Sequence, residues 1–258
     1  MIKEPKRIRN EDWRMQAVTT LAEDLITSWG TKHDKGAPVK LTARLNYGQK
    51  ILSFGIPNIS ALFLDMSHKL WVESQEELLN DETFIEWKGK YIGNNIIHPK
   101  SEAILFELMQ KRMASIVFAH TALEAFANEV IPENAVVTNE RDDKKCTETY
   151  NKSQIERYIN LDEKIGTILP QLYGVESPKG KKIWQEYLKL KTLRDRIIHI
   201  KSDDRKSVSP EDETIWKELL NKRNPDFSLE AKGIIGYLIE KVKEKPRWFI
   251  KFPHEEVK

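Results

Sequence analysis

The chain has 258 residues but only one cysteine, Cys146, so it cannot form an intrachain disulfide or a cysteine-rich zinc site. It also has no apolar run long enough to span a membrane, and residues 1–7 are rich in charge where a signal peptide would be apolar. We therefore expect a cytoplasmic protein in a reducing compartment, without a membrane partner.

Motifs for cofactors and metals are also missing. The 6 histidines are scattered without HExxH spacing, and no glycine-rich P-loop or dinucleotide fingerprint occurs. We expect neither a metal nor an organic cofactor. The formal net charge of +2 is too small to identify a polyanion-binding protein, because affinity for nucleic acid depends on local clusters of basic groups.

The composition is that of a folded protein, with 40% apolar and 32% charged residues. The length suits one large domain or two modest ones. We expect two, an N-terminal module over residues 1–99 and a helical domain over residues 100–258. The predicted fold class is mainly α.

Residues 1–99 carry mixed signals and predict a small α+β module of unknown role. Apolar residues recur at every fourth position over residues 11–29, which predicts an amphipathic helix. Residues 39–47 alternate between apolar and polar, which predicts a strand, and residues 51–56 are expected to pair back onto it as a hairpin. Residues 58–99 mix apolar clusters with turn-prone stretches.

The C-terminal part of the chain is dominated by helical periodicity, which predicts a four-helix bundle. The polar stretch 132–153 has no sustained apolar period, so we expect it to be a long mobile insertion. The four predicted helices are residues 101–131, 155–172, 182–200 and 229–242.

The segment Leu193-Arg194-Asp195-Arg196-Ile197-Ile198-His199 places an arginine and a histidine near the end of an amphipathic helix. RNA cleavage by an internal 2'-hydroxyl needs a group that moves a proton near neutral pH and a cation that stabilises charge on the phosphorus oxygens. His199 and Arg194 suit these two tasks. Asp195 lies four residues before His199, where its carboxylate is expected to orient the imidazole or raise its pKa.

Five residues turn an ideal helix by about 140 degrees. Arg194 and His199 therefore share one face only if the helix ends or bends between them. A symmetric dimer is the other way to bring an arginine and a histidine together.

Two further groups have a functional and a structural interpretation. His120 and Glu124 lie four residues apart on one predicted helix face, and they form either a polar pocket or an ordinary hydrogen-bonded pair. Basic and aromatic residues near the C-terminus either contact RNA or belong to a solvated helix end and a packed tail. The residues expected to contact RNA are Lys201, Lys243, Lys245, Arg247 and Trp248.

The segment 193–199 resembles the Arg-polar-x-x-x-His motif of the HEPN (higher eukaryotes and prokaryotes nucleotide-binding) family, in which the motif lies late in a helix of a small bundle. Residues 120–131 also look like the first bundle helix of some such domains. The resemblance covers residues 101–250. Many toxin members have a tyrosine two residues after the histidine, whereas this chain continues with Ile200 and Lys201.

This resemblance implies a HEPN-like helical domain that acts as a metal-independent endoribonuclease. Active relatives are homodimers in which the paired motifs meet at the interface, so Arg194 and His199 would form the site there. RNA would be the substrate, and family habit suggests a toxin or antiviral defence effector with an inhibitory or regulatory protein partner. Two alternatives stay open: a non-catalytic HEPN-like module that dimerises or binds a nucleotide or protein, and an unrelated helical bundle.

Overall fold

The computed structural model describes residues 12–28, 30–78, 85–86, 96–97, 102–141, 146–206, 209 and 211–253. Over these ranges the chain is mainly α-helical, with five small antiparallel strand pairs, so the predicted fold class is confirmed at this level. No helix in the same ranges is both long and apolar enough to cross a membrane.

The chain divides into two compact units. The first contains Met1–Leu62 and Glu244–Lys258, and the second contains Phe63–Lys243. The predicted boundary between residues 99 and 100 lies outside the described residues. The candidate catalytic segment belongs to the second unit.

The predicted helix over residues 11–29 is wrong, because the described part of this segment forms strands. Strand β1 (Ala17–Thr20) pairs with β4 (Pro38–Lys40), and β2 (Leu25–Ile26) pairs with β3 (Lys32–His33). Three successive β-branched residues in β1 favour the extended conformation. The side chains of β2 are exposed, so they do not provide the buried stripe that an amphipathic helix needs.

The predicted hairpin is confirmed. Strand β5 (Thr42–Tyr47) pairs with β6 (Lys50–Gly55) in a register that joins Thr42 to Gly55 and Tyr47 to Lys50. Gly48 has a φ of 60°, a left-handed conformation that glycine adopts without a steric penalty. The alternating pattern of residues 39–47 is shared between β4 and β5.

The C-terminal segment of the first unit forms a short helix, α9 (Arg247–Lys251), rather than an extended tail. Its side chain Trp248 is 3% exposed, and Phe252, just after the helix, is 2% exposed. The ring of Phe252 lies 5.9 Å from that of Trp13, so these two distant parts of the sequence both contribute to the core of this unit.

The second unit is built around the 28-residue helix α2 (Glu102–Glu129). This helix packs against α6 (Lys182–Ile198) and α8 (Phe227–Leu238), which also pack against each other. Helix α1 (Ile59–Leu78) precedes them, and Phe63 is its first residue in the unit. The core side chains include Leu108, Ile116, Leu123, Phe126, Tyr187, Leu190, Ile234 and Ile235, which are all buried. Burial of one such aliphatic side chain contributes about 2 kcal/mol.

The polar stretch 132–153 is not the irregular loop that was predicted, because its described residues form a hairpin. Strand β9 (Val136–Arg141) follows the short pair β7 (Ile85–Glu86) and β8 (Ile96–Ile97) in the chain. It pairs with β10 (Cys146–Asn151) over six residue pairs. The physical reason is local: valine, threonine and tyrosine favour strands even where the sequence is too polar to show a buried face. Strand β9 begins with two valines and a threonine, and β10 contains two threonines and a tyrosine.

The predicted helix over residues 155–172 is divided into three pieces. Helix α3 (Lys152–Tyr158) is capped by Asn151, and it is followed by α4 (Leu161–Glu163). A wider π-helical turn, Lys164–Ile168, leads into α5 (Leu169–Tyr173). Pro170 has no amide hydrogen to donate to Gly166, and the Gly166 carbonyl accepts a 2.6 Å hydrogen bond from the Ser177 hydroxyl.

The last two helices of the unit also differ from their predicted bounds. Helix α7 (Ile215–Leu219) was not predicted, and α8 begins two residues before the expected start at residue 229. Asp226 caps α8 by accepting a 2.9 Å hydrogen bond from the Ser228 amide. The long helix α1 was also missed, because its apolar residues were interpreted as separate clusters.

Candidate active site

Helix α6 ends between the two candidate catalytic residues. Its last helical residue is Ile198, and His199 has φ −116° and ψ 63°, outside the helical range. The His199 amide still donates a 2.9 Å hydrogen bond to the Asp195 carbonyl, which ties the residue to the last turn. The helix therefore ends between Arg194 and His199. A helix end is one of the two ways in which residues at this spacing can reach a common site, and a symmetric dimer is the other.

Arg194 is held by two carboxylates. Its Nη1 donates to Asp195 Oδ1 at 2.8 Å, and its Nη2 donates to Glu124 Oε1 on α2 at 3.4 Å. The side chain is 27% exposed. A guanidinium carries five N–H donors, and across the described ranges only these two have a protein acceptor. Arg194 therefore keeps donors that can take an anion.

His199 lies in an open cleft of about 380 Å³, together with the side chains of Thr192, Asp195, Arg196 and Lys201. It is exposed, and within the described part of the chain its imidazole has no hydrogen-bond partner. Arg194 does not line this cleft. Within one chain, the structure thus places His199 in the cleft and Arg194 against α2.

Asp195 lies between the two. It lines the cleft that contains His199, and its carboxylate accepts the hydrogen bond from Arg194. The expected contact with the His199 imidazole is not among the hydrogen bonds of the described residues, where only the Asp195 carbonyl meets the His199 amide. In this arrangement Asp195 orients the arginine.

The wall of the cleft depends on Arg196 and Asp204, a pair that the sequence did not reveal. Arg196 donates through Nε and Nη2 to the two carboxylate oxygens of Asp204, at 3.1 and 2.9 Å, and also to the Glu213 carbonyl. The Asp204 side chain is fully buried. It also accepts a hydrogen bond from the Ile215 amide at 2.8 Å, and its own carbonyl accepts the Trp216 indole N–H. The segment after α6 is thereby fixed against the end of that helix.

Burial by itself raises the pKa of Asp204, because it disfavours the charged form. The hydrogen bonds from Arg196 and from the Ile215 amide outweigh this effect, so the pKa of Asp204 lies below its ordinary value. Asp204 is therefore an ionised carboxylate at neutral pH, and it keeps Arg196 committed to the wall of the cleft.

A row of polar side chains runs along α2 opposite the motif helix. His120, Glu124 and Asn128 follow one another at intervals of four residues, which places them on one face. Lys164, which is only 5% exposed, donates to Asn128 Oδ1 at 2.8 Å and to the Glu156 carbonyl at 2.9 Å. The sequence indicated the His120–Glu124 pair but gave no sign of Lys164.

Asp162 completes this network from α4. It accepts a 2.5 Å hydrogen bond from Lys191 Nζ and another from the hydroxyl of Tyr187. Burial raises the pKa of Tyr187, and the bond to Asp162 adds to the effect. The pKa of Asp162 lies below its ordinary value, because these two hydrogen bonds outweigh the opposing effect of burial. The acidic members of the network are Glu124, Asp162 and Asp195, and its basic members are Lys164, Lys191 and Arg194.

His120 is the buried titratable group of the network, with 3% of its surface exposed. Its Nδ1 atom has no hydrogen-bond partner among the described residues and lies 3.7 Å from Glu124 Oε1. Burial, followed by the positive charge of Arg194, lowers the pKa of His120 to about 4. The imidazole is consequently neutral at pH 7.

The residues expected to contact RNA differ in their exposure to solvent. Lys201 is exposed and lines the His199 cleft, and Lys243 and Lys245 are exposed as well. Arg247 is half-buried at the start of α9. Trp248 is buried, and at 3% exposure its ring has no free face on which a base could stack, so the structure does not place it as an RNA contact.

Over the described ranges, no group of three or more His, Cys, Asp and Glu side chains is arranged to hold a metal ion. Comparisons of the chain with protein-family models, with curated proteins and with solved structures found no match.

Proposed function

We propose that this protein is a metal-independent endoribonuclease of the HEPN type, with its active site at a homodimer interface. The observation that carries the proposal is the end of α6, where an exposed histidine lies in an open cleft with Lys201 and a half-buried arginine keeps unused donors a few residues earlier. A titratable base and a fixed cation are the groups that RNA transesterification requires.

In the proposed reaction, His199 takes the proton of a 2'-hydroxyl, and the 2'-oxygen attacks the neighbouring phosphorus. The bond from phosphorus to the 5'-oxygen breaks, and the leaving oxygen receives a proton from the second copy of His199 or from water. Arg194 stabilises the negative charge of the phosphorane-like transition state. The products are a 2',3'-cyclic phosphate and a 5'-hydroxyl.

A dimer explains why Arg194 does not line the cleft of its own chain. A two-fold axis near the end of α6 would bring each His199 towards a second copy of the motif. Ile198, between the motif residues, supports an interface here because it is 53% exposed at the end of the helix. An aliphatic side chain in this position suits the apolar centre of a subunit contact.

The proposal also includes the helix arrangement of the second unit. We assign α2, α6, α8 and the α3–α5 segment to a HEPN-like four-helix bundle. The mutual packing of α2, α6 and α8 supports this assignment. The biological role as a toxin or antiviral defence effector, held silent by an inhibitory or regulatory protein, rests on the resemblance in sequence alone.

A non-catalytic HEPN-like module that dimerises or binds a nucleotide or protein is the second candidate. One observation favours it: Arg194 is already paired with Glu124 and Asp195, as a purely structural arginine would be. This candidate predicts that loss of Arg194 changes stability but no reaction.

The two candidates are separated by incubating a mixed tRNA and mRNA pool with the protein in EDTA. The nuclease proposal predicts cleavage by the wild type and loss of at least about 100-fold in Arg194→Ala and in His199→Ala. His33→Ala and Arg223→Ala, which change an exposed histidine and an exposed arginine elsewhere, should cut like the wild type. Intact RNA in every sample, or equal cutting by all variants, would favour the binding module.

A further inference from the structure

One carboxylate oxygen lies between two nitrogen groups of different chemistry. Glu124 Oε1 is 3.4 Å from Arg194 Nη2 and 3.7 Å from His120 Nδ1. Both distances exceed the roughly 2.7–2.9 Å of a charge-assisted hydrogen bond. A movement of less than about 1 Å would give this oxygen a full bond to either partner. Glu124 is therefore shared between a permanent cation and a titratable base.

The buried His120 nitrogen makes this sharing informative. A buried polar atom without a hydrogen bond is unfavourable, and most such atoms in folded proteins have a partner. His120 Nδ1 lacks one in the described structure, although a carboxylate oxygen lies just beyond hydrogen-bond distance. The missing bond would form if Glu124 moved away from Arg194. The atom thus points to a second state of the same network.

We propose that Glu124 and His120 are positioning residues for Arg194: when Arg194 takes an anionic phosphate, Glu124 moves to His120, which gains a proton. The proposal rests on the proposed function only in naming an RNA phosphate as the anion. In the unliganded state Glu124 and Asp195 hold the guanidinium in place. In the liganded state the phosphate replaces Glu124, and the freed carboxylate is neutralised by protonated His120.

The neighbouring cations leave His120 as the partner for a freed Glu124. Lys164 is already held by Asn128 and a backbone carbonyl, and Lys191 is held by Asp162. The other charged groups that act on His120 are Asp162, Lys191, Arg194 and Asp195. Of these, Arg194 is the one whose charge an incoming phosphate would neutralise.

These contacts determine whether phosphate binding takes up or releases a proton. The charge of Arg194 helps to keep the pKa of His120 near 4, so neutralising it and moving Glu124 next to the imidazole raises that pKa. Below the raised pKa, phosphate binding then takes up a proton, so affinity increases as the pH falls through the raised value towards the pKa of the free protein. Well above that value no proton is gained, and affinity stays at its lower limit.

The transfer of Glu124 is tested without RNA by NMR titration of the His120 imidazole. Replacing Arg194 with Gln removes the competing cation, so His120 should bind protons at least about tenfold more tightly, a pKa increase of about one unit or more. The double variant Arg194→Gln/Glu124→Gln should return the pKa most of the way towards that of the wild type. Lys191→Gln, which removes a different positive charge near His120, should give a smaller increase.

No change in Arg194→Gln would overturn the proposal. So would an increase that persists without Glu124, or one that Lys191→Gln reproduces in full, because relief of charge repulsion would then be sufficient. The result does not depend on cleavage, so an inactive protein can still show the transfer.

A second experiment measures how the affinity for RNA depends on pH. In the His199→Ala background, which removes the other nearby histidine, a single-stranded 2'-O-methyl RNA should bind at least about threefold more tightly at pH 4.5 than at pH 7.5. Adding His120→Gln should abolish this gain. A gain that survives His120→Gln would overturn the proton coupling, and absence of binding at both pH values would refute the anion step together with the proposed function.

Discussion

Removal of the Asp204 carboxylate should destabilise the protein and open the cleft that contains His199. In Asp204→Ala, the half-buried Arg196 head group loses both acceptor oxygens, and the Ile215 amide loses its acceptor. Breaking one partner of a fully buried ion pair costs about 3–5 kcal/mol. Arg196 is 22% exposed and keeps its bond to the Glu213 carbonyl, so we expect about 2–4 kcal/mol here.

The assay is urea unfolding followed by circular dichroism, with Asp203→Ala as the matched control. Asp203 is the preceding residue, but its side chain is 83% exposed and its pairing with Lys206 is a surface contact. The control should lose less than about 0.5 kcal/mol. If Asp204→Ala loses no more than Asp203→Ala, the argument that this pair fixes the segment after α6 is refuted.

Three further outcomes are expected. Leu123→Ala, which empties a fully buried position on α2, should lower the free energy of unfolding by about 3 kcal/mol, measured in urea; a loss under about 1 kcal/mol would contradict the packing described. Because the pKa of Asp204 is lowered in the folded state, its stabilising effect is complete above the unfolded pKa of about 3.9 and is lost as the pH falls through the folded value. Wild type should therefore lose more stability than Asp204→Asn between about pH 5 and pH 2, and equal losses would oppose this. Ile198→Glu should convert the proposed dimer to a monomer in sedimentation velocity, whereas an unchanged mass would exclude Ile198 from the interface.

Part of the fold could be predicted because a few segments have one unambiguous periodicity. Helices α2 and α6 carry apolar residues at intervals of three and four over many turns, and no glycine or proline interrupts them. The β5–β6 hairpin has alternating residues on one strand and a glycine in its turn. Helix α6 contains the candidate motif, and the β5–β6 hairpin lies where it was expected.

The failed predictions have physical causes. A recurrence of four residues over 11–29 fits a helix, but it also fits a strand, because four is a multiple of the strand period of two. The hairpin of β9 and β10 is too polar to show a buried face, and its strands are indicated only by their β-branched residues. In both segments, pairing with a partner strand determines the structure. A single sequence does not show which segments pair.

Of the candidate site, too, only part could be predicted from the sequence. The segment 193–199 identified Arg194, Asp195 and His199, because the chemistry of RNA cleavage calls for those residue types together. Glu124, by contrast, meets Arg194 across 70 positions of sequence, and only its spacing from His120 hinted at a polar face. The contacts of Arg196 with Asp204 and of Lys164 with Asn128 depend on how helices and loops pack, so they became visible only in the structure.

The most direct test of the proposed chemistry uses an RNA that the protein cuts, with the nucleotide before the cut replaced by its 2'-deoxy form, in the presence of EDTA. Attack by the internal 2'-hydroxyl predicts cyclic phosphate and 5'-hydroxyl ends on the unmodified RNA and no cut at the modified site. Cleavage of the 2'-deoxy substrate, or 5'-phosphate ends, would contradict the roles given to His199 and Arg194. Failure to cut any RNA would contradict the nuclease proposal as a whole.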